Sequence, residues 1–239
     1  MIGAAERMLA NIQAVIFDLD GTLLDRRRSF EGFGRDQWAR FDAVGRTVDR
    51  EKYVQLLVER DRDGYAPRQR LFTGLVAQLG LPPGLAETLL NDYRAGFPHA
   101  CLLFPDAVRT LSAVRGAGLT LGLITNGSVR MQSRKLECLA LSPLFDTILI
   151  SDAEGIHKPD RRIFHRALER LTATAARSVF VGDHPAVDVA GARAAGMQAV
   201  WRRDPRVSQV VEAEGVIEEL GDLVPLLGLA RSGSAGEDG

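Results

Sequence analysis

The sequence predicts an α/β protein, a doubly wound parallel sheet with a helical block inserted after its first strand. Three observations carry that expectation. Short β-branched runs recur along the chain and end in Asp, Asn or Gly; helical patterns lie between them; and from residue 25 to about 104 the alternation stops.

The first run, residues 13–17, ends abruptly in Asp18-Leu19-Asp20-Gly21-Thr22. Runs of the same form occur at 119–124, 147–150 and 178–181, with a weaker one at 198–201. Apolar runs of this length read as strands buried on both faces, hence parallel. Helices are expected at 105–116 (Val108, Leu111 and Val114 on one face), 130–140, 161–171 and 186–195. The stretch between Asp25 and Phe104 offers only amphipathic helices. Phe30, Phe33, Trp38, Phe41 and Val44 form one face, Tyr53, Val54, Leu57 and Val58 a second, Leu71, Phe72, Leu75, Val76 and Leu79 a third, and Leu85, Leu89 and Tyr93 a fourth. Pro82-Pro83-Gly84 separates the last two. The expected organisation is a core of residues 1–24 with 105–230, a helical lid of residues 25–104, and a flexible Gly/Ser/acid-rich tail at 231–239.

The 239 residues are 46% hydrophobic and 26% charged with a formal net charge of -1, so one core of ordinary composition is expected. That balance argues against nucleic acid or a membrane surface as partner, which would call for a basic excess. Charges alternate in Arg60-Asp61-Arg62-Asp63, the pattern of a solvated helix face. Cys101 and Cys138 have no paired spacing, and each reads as a small buried hydrophobe in a reduced, cytoplasmic setting. No apolar run is long enough to span a bilayer, and residues 1–11 lack the apolar stretch of a secretory signal. Oligomeric state is not legible.

Chemistry concentrates at the strand ends. Asp18 and Asp20 stand just beyond the first strand, where open parallel sheets place ligands. Converging carboxylates hold a hard divalent cation or divide into nucleophile and general acid/base; acidic turn residues would have the same composition. Thr125-Asn126-Gly127 after the second strand offers an anion cradle, or simply a helix cap. Lys158, before Pro159, lies beyond the third strand, and Gly182-Asp183 with Asp188 comes after the fourth. Each has an ordinary reading alone, but the four groups share one edge of the sheet.

At these residues the sequence resembles the haloacid dehalogenase-like hydrolase superfamily, whose four motifs occur in order from about residue 13 to 201. The flanking strings and the insert resemble the phosphatase branch with a helical, C1-type cap on a Rossmann-like core. The resemblance implies that Asp18 attacks phosphorus and that Asp20 protonates the leaving oxygen and then activates water. It implies Mg²⁺ held by Asp18, the Asp20 carbonyl and Asp183, with Asp188 direct or one layer out. Thr125, Asn126 and Lys158 would bind the phosphoryl group, Lys158 also neutralising the nucleophile. A small phosphorylated metabolite is the implied substrate. A dianionic ester approaches a carboxylate only where cations cancel the repulsion, so the chemistry and the resemblance agree.

A phosphomutase shares all four motifs. A dehalogenase needs no metal and usually lacks an acid at the position of Asp20; a non-catalytic module typically loses the carboxylates that are present here. Residues 26–28, Arg60, Arg68 and Arg70 of the insert, with His157 and His184, are candidates for substrate contact, though surface or structural roles suit them as well.

Overall fold

The structure, a computed structural model, describes residues 9, 11–205 and 211–229; the expected tail at 231–239 lies outside them. The chain opens with β1 (Ala14–Phe17) and continues into five helices, α1 (Arg26–Arg40), α2 (Asp42–Gly45), α3 (Arg50–Asp61), α4 (Arg68–Gln78) and α5 (Leu85–Gly96). Strands and helices then alternate through α6 (Ala107–Gly116), β2 (Thr120–Thr125), α7 (Val129–Cys138), β3 (Thr147–Ile150), α8 (Ser151–Glu154) and α9 (Arg161–Leu171). The last elements are β4 (Ser178–Gly182), α10 (Ala190–Ala194), β5 (Gln198–Arg202), β6 (Gly215–Ile217) and α11 (Leu223–Leu226). Among the described residues no helix is long and apolar enough to cross a membrane.

The chain divides into two compact units. The first is Met1–Leu23 with Leu103–Gln132 and Ala140–Gly239; the second is Leu24–Leu102 with Ser133–Leu139.

Among the described residues the first unit has six strands, all parallel, in the order β3-β2-β1-β4-β5-β6. The chain builds outward from β1 through β2 to β3, then returns to β1 and builds the other side. This is the doubly wound order expected, and its ligand crevice lies at the carboxyl ends where the winding reverses. Phe17 stands in register with Leu123 and with Val181, so the loop after β1 emerges level with the ends of both neighbours. Every residue of β1 is buried, which is why that run lacks polar alternation. Ile16, Phe164, Phe180 and Trp201 sit in one apolar core, with the Phe164 and Phe180 rings edge to face at 5.1 Å.

Three expectations are corrected here. A sixth strand, β6, joins the sheet edge; its three residues include an exposed Val216 and carry no periodic signal. Val108 is exposed, and α6 buries Ala107, Thr110, Leu111 and Val114 instead. The helix expected at 186–195 starts as a π-type turn, Pro185–Val189, before α10.

The second unit packs helices on one another. Phe30, Phe33, Tyr93 and Phe97 form an aromatic cluster with ring centroids 5.1 to 6.2 Å apart. Gln37, not Trp38, completes the buried face of α1. Its amide donates to the Leu89 carbonyl at 2.9 Å and accepts from the Tyr53 hydroxyl at 2.7 Å, so burial leaves it satisfied. Asp61 also departs from the expected solvated face. It is buried and takes a two-pronged ion pair from Arg26, Nε–Oδ2 at 3.0 Å and Nη2–Oδ1 at 2.8 Å, while Arg68 adds a further contact. The Arg26 guanidinium lies over the Phe30 and Phe97 rings at 5.5 and 5.4 Å. Cys101 is buried as expected, but Cys138 is exposed, its Sγ 3.5 Å from His99 Nδ1.

Candidate active site

The site grows out of four strand ends of the first unit. Beyond β1 the backbone turns at once: Thr22 and Leu23 N–H groups donate to the Leu19 carbonyl, and Gly21 takes φ +89°. A Cβ at Gly21 would stand 2.3 Å from Asp183 Oδ2, so close approach and backbone sign both demand glycine. The turn carries Asp18, buried, and Asp20, half-buried.

Asp18, Asp183 and Asp188 offer carboxylate oxygens that all lie within 4.8 Å of one another. Lys158 enters this group from beyond β3, preceding a cis peptide to Pro159. Its Nζ donates to Asp18 Oδ1 at 2.5 Å and to Asp188 Oδ1 at 2.7 Å, and stands 5.1 Å from the centre of the Phe180 ring. The other oxygen of Asp188 accepts from the His184 N–H at 3.0 Å. His184 itself caps the turn that carries Asp188, its Nδ1 accepting from the Ala186 and Val187 N–H groups at 3.2 Å.

Charge at this cluster is unbalanced. Asp18 is pushed up to about 7, by burial first and then by Asp188 and Asp20, against the pull of Lys158. Asp183 is raised well above the usual carboxylate range by burial and by the charges of Asp188 and Asp18. Burial alone would lower the Lys158 ammonium, but Asp18 and Asp188 more than offset it and hold the lysine charged. One ammonium beside three carboxylates, Asp18 and Asp188 buried and Asp183 half-buried, leaves excess negative charge, and an all-oxygen donor set of this kind suits a hard divalent cation. The donors fit Mg²⁺ on that ground.

The remaining expected residues divide into two arrangements. Asn126 clamps the Lys158 backbone, its Nδ2 donating to the Lys158 carbonyl at 3.0 Å and its Oδ1 accepting from the Lys158 N–H at 2.9 Å. Its side chain thus positions the lysine and is committed on both its donor and its acceptor. Thr125 and Asp20 meet through a residue that sequence patterning passes over: Gln132 Nε2 donates to Asp20 Oδ2 at 2.9 Å and to Thr125 Oγ1 at 2.5 Å.

Two more residues escape a sequence reading. Trp201 Nε1 donates to the Asp183 carbonyl at 2.8 Å, and Arg202 Nη1 to the Gly21 carbonyl at 2.9 Å. The end of β5 therefore holds the loops bearing Asp183 and Asp20. An indole at a buried strand end, whose N–H requires an acceptor, is the only advance signal. His157 is exposed in a cleft of about 480 Å³ shared with Asn126, Gly127 and Ser128.

Comparison with known proteins places the chain in a family. The chain is 30% identical over 235 residues to the ribulose-1,5-bisphosphate 5-phosphatase of Halopiger xanaduensis, covering 90% of this chain and 98% of that protein. A phosphatase structure from Thermococcus onnurineus is 28% identical with a TM-score of 0.62, covering 92% of this chain and all of that one (100%). A 2-haloacid dehalogenase structure from Pseudomonas syringae pv. Tomato is also 28% identical, with a TM-score of 0.58 over 91% of this chain and 98% of that one. Residues 12–196 match the description of a haloacid dehalogenase-like hydrolase, and the chain belongs to that family.

Proposed function

We propose that this chain is a Mg²⁺-dependent phosphatase that hydrolyses a small phosphorylated metabolite through an aspartyl phosphate on Asp18. The observation that carries the reading is the cluster of Asp18, Asp183 and Asp188, with Lys158 paired to Asp18 and Asp188 and a fourth carboxylate, Asp20, two residues beyond Asp18. Asp18, Asp183, Asp188 and the Asp20 carbonyl would hold Mg²⁺, which when bound supplies charge neutralisation for the nucleophile and the phosphoryl oxygens.

The chain's own groups do the rest. Asp18 forms the new O–P bond as the ester O–P bond breaks, and Asp20 gives its proton to the departing oxygen. Asp20, now a carboxylate, takes a proton from water as that water hydrolyses the acyl phosphate, restoring both residues. Lys158 and Thr125 hold phosphoryl oxygens, and Asn126 fixes the lysine through its backbone. The proximity of a dehalogenase fold makes Asp20 the discriminating residue, since only ester cleavage needs an acid for its leaving group. The helical second unit acts as a specificity cap. Replacing residues 25–104 with a short linker should broaden selectivity while leaving slow hydrolysis of an activated ester.

The test is phosphate release from a panel of sugar phosphates, nucleotides and small organic phosphates with Mg²⁺. Release from at least one ester supports the reading. Halide release from a 2-haloacid with no phosphate release would replace it with the dehalogenase, and return of the phosphoryl group to a sugar with the mutase.

A further inference from the structure

The peptide group between Asp183 and His184 is held from both sides. Its carbonyl oxygen accepts from Trp201 Nε1 at 2.8 Å, and its N–H, that of His184, donates to Asp188 Oδ2 at 3.0 Å. The C=O and N–H of a trans peptide point in opposite directions, so two such bonds together fix how its plane is turned. This plane is the first one past the end of β4. Gly182 stands in register with Trp201, and the indole, buried in the apolar core, gives its one donor to the carbonyl of the next residue.

The orientation of that plane bears on two of the three clustered carboxylates. The Asp183 side chain leaves the backbone beside it, and Asp188 is bonded directly to its N–H. Neither has room to drift: a Cβ on Gly21 would stand 2.3 Å from Asp183 Oδ2, and one on Gly182 would stand 2.4 Å from Asp188 Cβ. A donor on an amide oxygen also makes the N–H of the same amide a stronger donor, so the indole strengthens the bond to Asp188. Any large apolar side chain fills the core at position 201; only the indole N–H holds the peptide.

We propose that Trp201 is a positioning residue for the metal site, which sets Asp183 and Asp188 for a divalent cation by holding the 183–184 peptide. The inference rests on the metal assignment within the phosphatase reading.

The experiment is direct Mg²⁺ titration by calorimetry, without substrate, of wild type, Trp201→Phe and Leu171→Ala. The first variant keeps an aromatic ring and removes the donor. Leu171 lies in the same apolar core as Trp201, so the second controls for lost packing. Trp201→Phe should bind Mg²⁺ about tenfold more weakly, the low end of what losing an outer partner of a metal ligand costs. Leu171→Ala should bind as wild type does. An unchanged affinity in folded Trp201→Phe, or an equal loss in Leu171→Ala, overturns the role of Trp201 and leaves the phosphatase reading standing. Wild-type protein that binds no Mg²⁺ overturns the metal assignment and this inference together. If Trp201→Phe does not fold, Trp201→β-(3-benzothienyl)alanine decides, because sulfur then replaces the indole N–H in a ring system of the same shape.

Discussion

Lys158 Nζ donates to Asp18 Oδ1 at 2.5 Å, and both side chains are buried. The lysine sets its positive charge directly against the nucleophile, so it neutralises the carboxylate that must meet a dianion. Lys158→Met should reduce phosphate release by at least about 100-fold, the scale of losing one preorganised charge contact. It should also cost about 3 kcal/mol of metal-free stability by urea unfolding, because Asp18 and Asp188 are left buried without their partner. Wild-type turnover in a folded Lys158→Met protein would remove the lysine from the mechanism.

Chelation is the next expectation. Activity should vanish with EDTA and return with Mg²⁺, while Ca²⁺, with its larger and looser coordination, should substitute poorly. Asp183→Ala should raise the Mg²⁺ concentration needed for half-activity more than it changes KM. Full activity after exhaustive chelation would count against the metal assignment.

Within the helical unit, the Arg26–Asp61 pair should be structural. Asp61→Ala leaves the Arg26 guanidinium buried beside Phe30 and Phe97 without its carboxylate, and should destabilise by about 3 kcal/mol. Thermal unfolding checks this. A shift no larger than that of an exposed substitution such as Glu51→Ala would show the pair to be dispensable.

Glu154, at the end of α8, accepts from Arg166 at 2.8 Å and from Arg170 at 3.0 Å. Burial pushes its carboxyl up, but the two arginines outweigh that and hold it below the usual range. A depressed folded value means stabilisation that is present above the unfolded value, about 4.3 for Glu, and lost as pH falls through the folded value. Glu154→Gln should therefore lower Tm near neutral pH, by the equivalent of at most about 1 kcal/mol because both arginines reach solvent. Wild type and variant should converge in acid. A gap that widens on acidification would contradict the assignment.

The legible part of this protein was the part that burial and backbone chemistry write locally. Runs buried on both faces lose their polar residues, so β1 to β5 stood out, and β1, β2 and β4 led straight into site residues, with Lys158 farther along the chain beyond β3. Carboxylates at a strand end are visible for the same reason. The unread part depends on contacts between distant residues. Gln132 lies in an amphipathic helix whose polar positions look like solvent face, and only folding brings it to Asp20, 112 residues away in sequence. Asp61 sits in a run of alternating charge and is buried by Arg26, 35 residues earlier. β6 is three residues at a sheet edge, too short for any period to register.

The most direct test of the central claim is where the phosphoryl group goes. Asp20→Asn retains the nucleophile but loses the base that clears it, so with p-nitrophenyl phosphate and Mg²⁺ it should accumulate one phosphoryl group. Mass spectrometry of rapidly acid-quenched protein should find that group on the peptide containing Asp18. Asp18→Asn should neither carry the group nor turn over, although the amide matches the carboxylate in shape. Phosphate release near the wild-type rate by folded Asp18→Asn, or a phosphoryl group trapped on another residue, would contradict Asp18 as the nucleophile.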